Sequence, residues 1–166
     1  MVVEAFVISR PLAVFDLDGT VADTRHRLHF VEASPRDWDA FFAAATRDAP
    51  LAEGVELARS SAEAHEVVYL TGRPERCRRD TVDWLDRHGL PAGRLLMRAE
   101  RDRRPARVAK PALLRKLARG RTVAMVVDDD ALVCDAYRAA GFRVIRADWM
   151  PPSQTLRQAQ HDAGRT

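Results

Sequence analysis

The feature that most constrains this chain is an apolar run that ends in two carboxylates and a glycine turn, Val14-Phe15-Asp16-Leu17-Asp18-Gly19-Thr20. Residues i and i+2 of a strand point to the same side, so Asp16 and Asp18 would leave the end of a buried strand together. Their charges would repel each other unless a cation lay between them. The plainer alternative is an ordinary strand exit in which Asp serves as a turn former.

Apolar strands alternate with helical segments along the rest of the chain. The pattern predicts strands over residues 12–16, 66–71, 94–97, 122–127 and 142–145. It predicts helices over residues 53–65, 74–89 and 110–117, and another that follows the fourth strand and ends at Ala140. A further helix is predicted to begin at Ser34-Pro35, with a cap residue followed by a proline. The aromatic face of that helix, with Phe41 and Phe42, reads as core. The expected fold class is α/β, a doubly wound, Rossmann-like and mostly parallel sheet flanked by helices.

Composition limits the class of protein. The 166 residues are 46% hydrophobic and 31% charged, as in one ordinary globular domain. No apolar stretch approaches the roughly 20 residues that span a bilayer, so we expect no membrane partner. Residues 1–10 read as a short strand and not as a signal peptide. Cys77 and Cys134 form no metal-binding spacing, which favours free thiols and a cytoplasmic location.

Polar residues follow three more elements of the predicted sheet. Thr71-Gly72-Arg73 follows the second strand, Lys110 opens a later helix, and Asp128-Asp129 end the fourth strand. In such sheets the binding crevice lies beyond the carboxyl ends of the strands, so these groups should meet Asp16 and Asp18 there. Carboxylates crowded at one site need a cation, and ligands that offer only oxygen favour Mg²⁺.

Taken together, the DxDGT, TGR, lysine and DDD motifs resemble those of the haloacid dehalogenase superfamily of phosphohydrolases, over about residues 11–149. The resemblance implies that Asp16 is the nucleophile and that Asp18 is the general acid and then the base. It further implies that Thr71 and Lys110 hold the phosphoryl oxygens. Magnesium would be bound by Asp16, Asp128 and the backbone carbonyl of Asp18, with Asp129 as a direct or water-mediated ligand.

The superfamily often inserts a cap domain, and here the helices and strands leave little room for one. We expect a HAD-like domain over residues 1–150, with no large cap and only a small helical flap over about residues 25–50. Residues 151–166 are expected to form a polar, mobile tail. An open site suits a large substrate, or the exposed end of one.

A closer resemblance is to the phosphatase domain of phage-type polynucleotide kinase–phosphatases, which remove 3′-phosphates from nucleic-acid ends. Arg27, Arg73 and Arg98 match substrate-binding arginines of that family, and the substrate-binding set is completed by Thr20 and Gly72. Ser34-Pro35-Arg36-Asp37 resembles a further family segment. Two features depart from the pattern: Asp130 stands where the phage proteins tend to have an arginine, and no kinase segment precedes the phosphatase motifs. Asp130 could be a plain helix N-cap.

The segment 98–107 carries five arginines against Glu100 and Asp102. It either tracks the backbone of a phosphorylated strand or is a solvated surface loop. The leading interpretation is a Mg²⁺-dependent phosphomonoesterase acting on a nucleic-acid 3′-end. One alternative is a small-molecule phosphatase such as a nucleotidase. Another is a non-catalytic nucleic-acid-binding module, which the complete set of clustered ionisable residues argues against.

Overall fold

A five-stranded parallel sheet forms the centre of the molecule. The computed structural model describes residues 9–163, so most of the strand expected over residues 1–10 lies outside the described part. The strands are β1 (Leu12–Phe15), β4 (Glu66–Pro74), β5 (Arg94–Arg98), β6 (Val123–Asp128) and β7 (Val144–Arg146). They are ordered β5-β4-β1-β6-β7, and every neighbouring pair is parallel.

Helices cover both faces of the sheet, as the unbroken apolar strands require. Ala13 and Phe15 of β1 pack in one core with the helices α3 (Ala52–Ser61) and α4 (Arg78–Arg87). Leu12 and Val14 face the opposite side, where α5 (Ala106–Leu117) and α6 (Ala131–Ala139) lie. Because successive residues of β1 point to opposite faces of the sheet, this strand contributes side chains to both hydrophobic cores. The predicted doubly wound α/β fold is confirmed.

The connection between β1 and α3 forms a small flap. Its base is closed by an antiparallel pair of two-residue strands, β2 (Ala22–Asp23) and β3 (Ala49–Pro50). Between them lie the short helices α1 (His29–Glu32) and α2 (Trp38–Ala43), with single 3₁₀ turns over residues 25–27 and 44–47. Among the described residues nothing larger is inserted, so the expected absence of a large cap holds.

Three helices begin elsewhere than the sequence pattern predicted. Helix α4 begins at Arg78 and not at residue 74, because β4 continues to residue 74 and a single 3₁₀ turn over residues 75–77 follows it. Ser34-Pro35 does not open a helix: its peptide bond is cis and lies in a connection, and α2 begins at Trp38. Asp37 is the N-cap because its carboxylate accepts a hydrogen bond from the Ala40 amide at 2.9 Å. Helix α5 begins at Ala106 and not at Lys110, because Pro105 marks its start and Pro111 is accommodated inside it. Lys110 therefore lies in the second turn.

The expectation of a mobile C-terminal tail was wrong for the described residues. Residues Gln154–Ala163 form helix α7, and Leu156 and Ala159 are buried against the flap in a third cluster that includes Phe41 and Phe42. Their i, i+3 spacing gives an otherwise polar helix one narrow apolar stripe. The flap and the C-terminal helix thus pack together. No helix within residues 9–163 has the length and apolar content to cross a membrane.

Candidate active site

Strand pairing brings the acidic residues together. Phe15 of β1 lies opposite Val127 of β6, so Asp16 and Asp128, the residues that follow, emerge side by side. Lys110 reaches both from α5, with its Nζ 3.0 Å from Asp16 Oδ1 and 2.8 Å from Asp128 Oδ2. All three side chains are almost completely buried. A buried lysine between two carboxylates is a paired charge, which is how an interior tolerates one.

Asp129 completes a cluster of three carboxylates. One oxygen each from Asp16, Asp128 and Asp129 can be chosen so that all three lie within 4.8 Å of one another. The turn after Asp18 makes room for this, because Gly19 has φ +81° and a Cβ at that position would lie 2.4 Å from Asp129 Oδ2. Only glycine combines that backbone conformation with such a close approach.

The cluster is short of positive charge. Burial raises the pKa of Asp16 well above its ordinary value, and the carboxylates of Asp128, Asp129 and Asp18 add to the effect against Lys110. Burial together with the neighbouring Asp128 raises the pKa of Asp129 to about 7. Burial would lower the pKa of Lys110, but Asp128 and Asp16 outweigh it and raise that pKa well above the ordinary value. Three carboxylates beside one ammonium fit a divalent cation bound through oxygen.

Asp18 turns away from this cluster toward two arginines. Its Oδ1 accepts hydrogen bonds from Arg27 Nη2 at 2.9 Å and from Arg73 Nε and Nη2 at 2.9 and 2.6 Å. Burial alone would raise the pKa of Asp18, but the two guanidinium groups more than offset it and lower the pKa to about 2. Asp16 and Asp18 thus have opposite environments although only Leu17 separates them. A pair of titratable groups with divergent environments is suited to two different chemical tasks.

Asp48 holds the two arginines from the other side. Its Oδ1 accepts from Arg27 Nε at 2.8 Å, and its Oδ2 accepts from Arg27 Nη2 at 2.7 Å and from Arg73 Nη2 at 3.0 Å. The Arg27 guanidinium also lies 4.3 Å from the ring centroid of Phe41. Asp18, Asp48 and the two arginines form a group of two carboxylates and two guanidinium groups that alternate in sign, so their formal charges cancel. Sequence reasoning missed Asp48, because only the folded flap brings position 48 beside positions 27 and 73.

The reactive groups open onto a cleft of about 640 Å³. Asp16, Asp18, Thr71, Gly72 and Lys110, all predicted from the sequence, line it together with Asp129. The flap and the C-terminal region contribute residues that the sequence did not point to, namely Thr24, Phe42, Met150, Ser153, Leu156, Arg157 and Gln160. For the residues of α7, the apolar pair Leu156 and Ala159 is the one signal that the sequence carries, and the interpretation of residues 151–166 as a polar tail overlooks it.

Four predicted substrate-binding residues do not line the cleft. Arg27 and Arg73 are buried behind Asp18. Thr20 is fully buried, and its carbonyl accepts a hydrogen bond from Trp149 Nε1 at 2.9 Å. Arg98, the first residue of the basic segment 98–107, is buried, and its Nη2 donates a hydrogen bond to the Arg104 carbonyl at 3.0 Å. Any direct contact of these residues with a substrate stays a prediction.

Parallel strand ends that carry a buried acidic cluster, a paired lysine and a second carboxylate define a phosphatase of the haloacid dehalogenase type. Residues 11–149 match the model of one family within that class, described as the polynucleotide kinase PNKP phosphatase domain. The chain belongs to this family.

Solved structures show the same fold. A chain of the Pnkp1/Rnl/Hen1 complex superposes with a TM-score of 0.69 at 22% identity, over 84% of this chain and 46% of that chain. The class C acid phosphatase from Bacillus anthracis has a TM-score of 0.62 at 15% identity, over 95% of this chain and 80% of that one. A haloacid dehalogenase-like hydrolase from Streptococcus pneumoniae has a TM-score of 0.63 at 15% identity, over 92% of each chain. The present chain therefore spans less than half of the matched chain of the Pnkp1/Rnl/Hen1 complex. No curated protein matches the sequence.

Proposed function

We propose that this phosphatase depends on Mg²⁺ and removes 3′-phosphates from nucleic-acid ends through an aspartyl-phosphate on Asp16. The observation that carries the proposal is the separation of two carboxylates into different environments at one cleft. Asp16 lies with Lys110 and the acidic cluster, and Asp18 lies with Arg27 and Arg73. We assign the attack on phosphorus to Asp16 and the proton transfers to Asp18.

In the first step the Asp16 carboxylate attacks phosphorus, and the bond between phosphorus and the ester oxygen breaks. The Lys110 ammonium, 3.0 Å from Asp16, offsets the charge of the phosphoryl oxygens. Thr71 and Gly72, at the rim of the cleft, are proposed to hold those oxygens through the hydroxyl and backbone amides. Bound Mg²⁺, held by Asp16, Asp128, Asp129 and the Asp18 carbonyl, would neutralise negative charge on the transferring group.

Asp18 would donate a proton to the leaving oxygen and later accept one from the attacking water. In the free protein its pKa is held near 2 against the effect of burial by Arg27 and Arg73, so it is ionised. An entering phosphate ester adds negative charge beside Asp18, which raises that pKa. Substrate binding would therefore favour the protonated form required for the first step. Arg27 and Arg73 would then act on the reaction indirectly, by setting the pKa of Asp18.

Membership of the PNKP phosphatase family supports a nucleic-acid end as the substrate. One structural neighbour is described as the Pnkp1/Rnl/Hen1 RNA repair complex, and such a setting fits the proposal. The basic segment, residues 98–107, adds exposed positive charge at Arg101 and Arg103. Exposed arginines attract phosphate backbones whatever the base sequence.

A small phosphate ester, such as a mononucleotide, is the second candidate substrate. The observation in its favour is that Phe42 of the flap and Leu156 of α7 both line the cleft, so the site is walled on two sides by elements outside the sheet. Such walls suit a ligand that fits inside the cleft.

The test is phosphate release, with Mg²⁺, from matched oligonucleotides that carry either a 3′- or a 5′-phosphate, alongside free mononucleotides. We expect selective release from the 3′-end and loss of that release with a chelator. Preference for free mononucleotides would support the second candidate. Equal release from 3′- and 5′-ends would contradict the proposed end specificity.

A further inference from the structure

A second cavity of about 440 Å³ opens beside the catalytic cleft. Three elements wall it: the start of α5 with Pro105 and Arg107, the start of α6 with Leu132, and α7 with Arg157 and His161. None of these residues has a part in the phosphoryl transfer described above.

The two cavities form one continuous surface. Ala106, Asp130 and Arg157 line both of them, so each is bounded in part by the same three side chains. A ligand whose phosphate lies in the catalytic cleft can extend past Arg157 into the second cavity. This continuity ties the occupant of the second cavity to the substrate of the first.

One wall of the second cavity is apolar and open. Leu132, the second residue of α6, is 55% exposed, although the two residues that follow it are buried. With Pro105 and Ala131 it presents a surface of a kind that a nucleobase can cover with its apolar face.

The charge of the cavity is positive. Within residues 9–163 the side chains of Arg107 and Arg157 form no ion pair, and His161 lies 3.9 Å from Asp162. The one acidic lining residue, Asp130, is engaged with the helix: its Oδ1 accepts hydrogen bonds from the amides of Leu132 and Val133 at 2.8 and 3.3 Å. Arg157 lies near enough to Asp129 to oppose the rise that burial causes in the pKa of that carboxyl, but neither arginine is held in an ion pair by the described residues. Both are therefore free to bind a phosphodiester, since a guanidinium is a planar donor to phosphate oxygens.

We propose that the second cavity is the binding subsite for the penultimate nucleotide of a 3′-phosphorylated strand. Arg157, at the junction, binds the phosphodiester that joins the last two nucleotides. Arg107 adds positive charge farther along, and the penultimate base lies against Leu132. The inference rests on the proposed function, because it takes the terminal 3′-phosphate to be in the catalytic cleft.

The test compares kcat/KM for a nucleoside 3′-monophosphate with that for a dinucleotide carrying a 3′-phosphate. For the unaltered protein we expect about a tenfold gain for the dinucleotide, equivalent to about 1.4 kcal/mol. Arg107→Glu and Leu132→Asp should each bring the ratio close to one. Both positions are exposed in the first turn of a helix, where an acidic residue is tolerated. Arg115→Glu, the same charge change in the last turn of α5, is the control and should keep the tenfold gain.

The outcomes separate this inference from the proposed function. Hydrolysis of both substrates with a ratio near one in the unaltered protein would overturn the subsite and leave the 3′-phosphatase assignment intact. A tenfold gain that survives in both variants would also overturn the subsite. Hydrolysis of p-nitrophenyl phosphate without hydrolysis of either nucleotide would overturn the proposed function and the subsite together.

Discussion

At the scale of single residues, the environment of each carboxylate decides what it can do. Asp16 and Asp18 are separated by one residue, yet burial among carboxylates raises the pKa of one and two arginines lower the pKa of the other to about 2 against the effect of burial. The difference arises from partners that are distant in sequence. Lys110 comes from α5, Arg73 from β4 and Arg27 from the flap.

Asp48→Asn tests the buried group of ion pairs that Asp18 and Asp48 form with the two arginines. Removing this carboxylate leaves Arg27 and Arg73 with only Asp18 as a common partner, and loss of one member of a buried ion pair typically costs about 3–5 kcal/mol. We expect a loss of that size in the free energy of unfolding, measured by urea denaturation. Asp39→Asn is the matched control, because the Asp39 side chain is 88% exposed and its pair with Arg76 should be worth about 1 kcal/mol or less. Equal stability of the two variants would contradict the structural role of Asp48.

The acidic cluster predicts a stabilisation by Mg²⁺ that grows with pH. Burial and Asp128 raise the pKa of Asp129 to about 7, so between about pH 4 and pH 7 the folded metal-free protein binds more protons than the unfolded chain. The proton on Asp129 therefore stabilises the folded metal-free protein at low pH, and this stabilisation is lost as pH rises through 7. Magnesium requires the ionised carboxylates, and therefore competes with these protons.

We expect Mg²⁺ to raise Tm clearly at pH 8 and little at pH 5, measured by calorimetry with and without a chelator. In Asp129→Asn the increment should be smaller at pH 8, because a ligand and a charge are missing. A Tm increment that is the same at both pH values would contradict competition between protons and Mg²⁺ at this cluster.

At the scale of elements, the flap and α7 form one unit that walls the cleft. Leu156 and Ala159 are buried in the same cluster as Val31, Phe41 and Phe42, and Leu156 also lines the cleft. The core sheet supplies the reactive groups, and this third cluster supplies the walls. A change in the docking of α7 should therefore alter substrate binding more than the chemistry.

Ala159→Asp tests whether the docking of α7 affects substrate binding more than the chemical step. A charge at this fully buried position should undock α7, at a cost of about 1–3 kcal/mol. We expect faster tryptic cleavage after Arg157, mapped by mass spectrometry, and a rise in KM larger than the fall in kcat. Thr155→Asp, at an exposed position of the same helix, is the control and should do neither. Unchanged proteolysis and KM in Ala159→Asp would show that α7 does not wall the site.

At the scale of the whole molecule, the sequence predicted what strands and short motifs specify locally. Continuous apolar runs predicted the parallel sheet, and the polar residues after them predicted Asp16, Thr71 and Asp128 at one edge. The spacing could not predict Asp48, Arg157 or the second cavity, because those depend on how the flap and α7 fold back over the sheet. A two-residue apolar stripe in α7 is too weak a signal to distinguish a docked helix from a tail. The prediction of Asp130 as a helix N-cap is confirmed, since capping depends on residues that are close in sequence.

The central claim is that Asp16 receives the phosphoryl group from a nucleic-acid 3′-end. Its most direct test is an acid-quenched reaction with an oligonucleotide that carries a radioactive 3′-phosphate, followed by peptide mapping. We predict a label that hydroxylamine removes, as expected of an acyl phosphate, on the peptide containing Asp16. The label should be absent in Asp16→Asn, which lacks the nucleophile, and weak in Asp18→Asn, which lacks the acid that protonates the leaving oxygen in the first step. Phosphate release by the unaltered protein with no label on it at any quench time, or an equal label in Asp16→Asn, would contradict the claim.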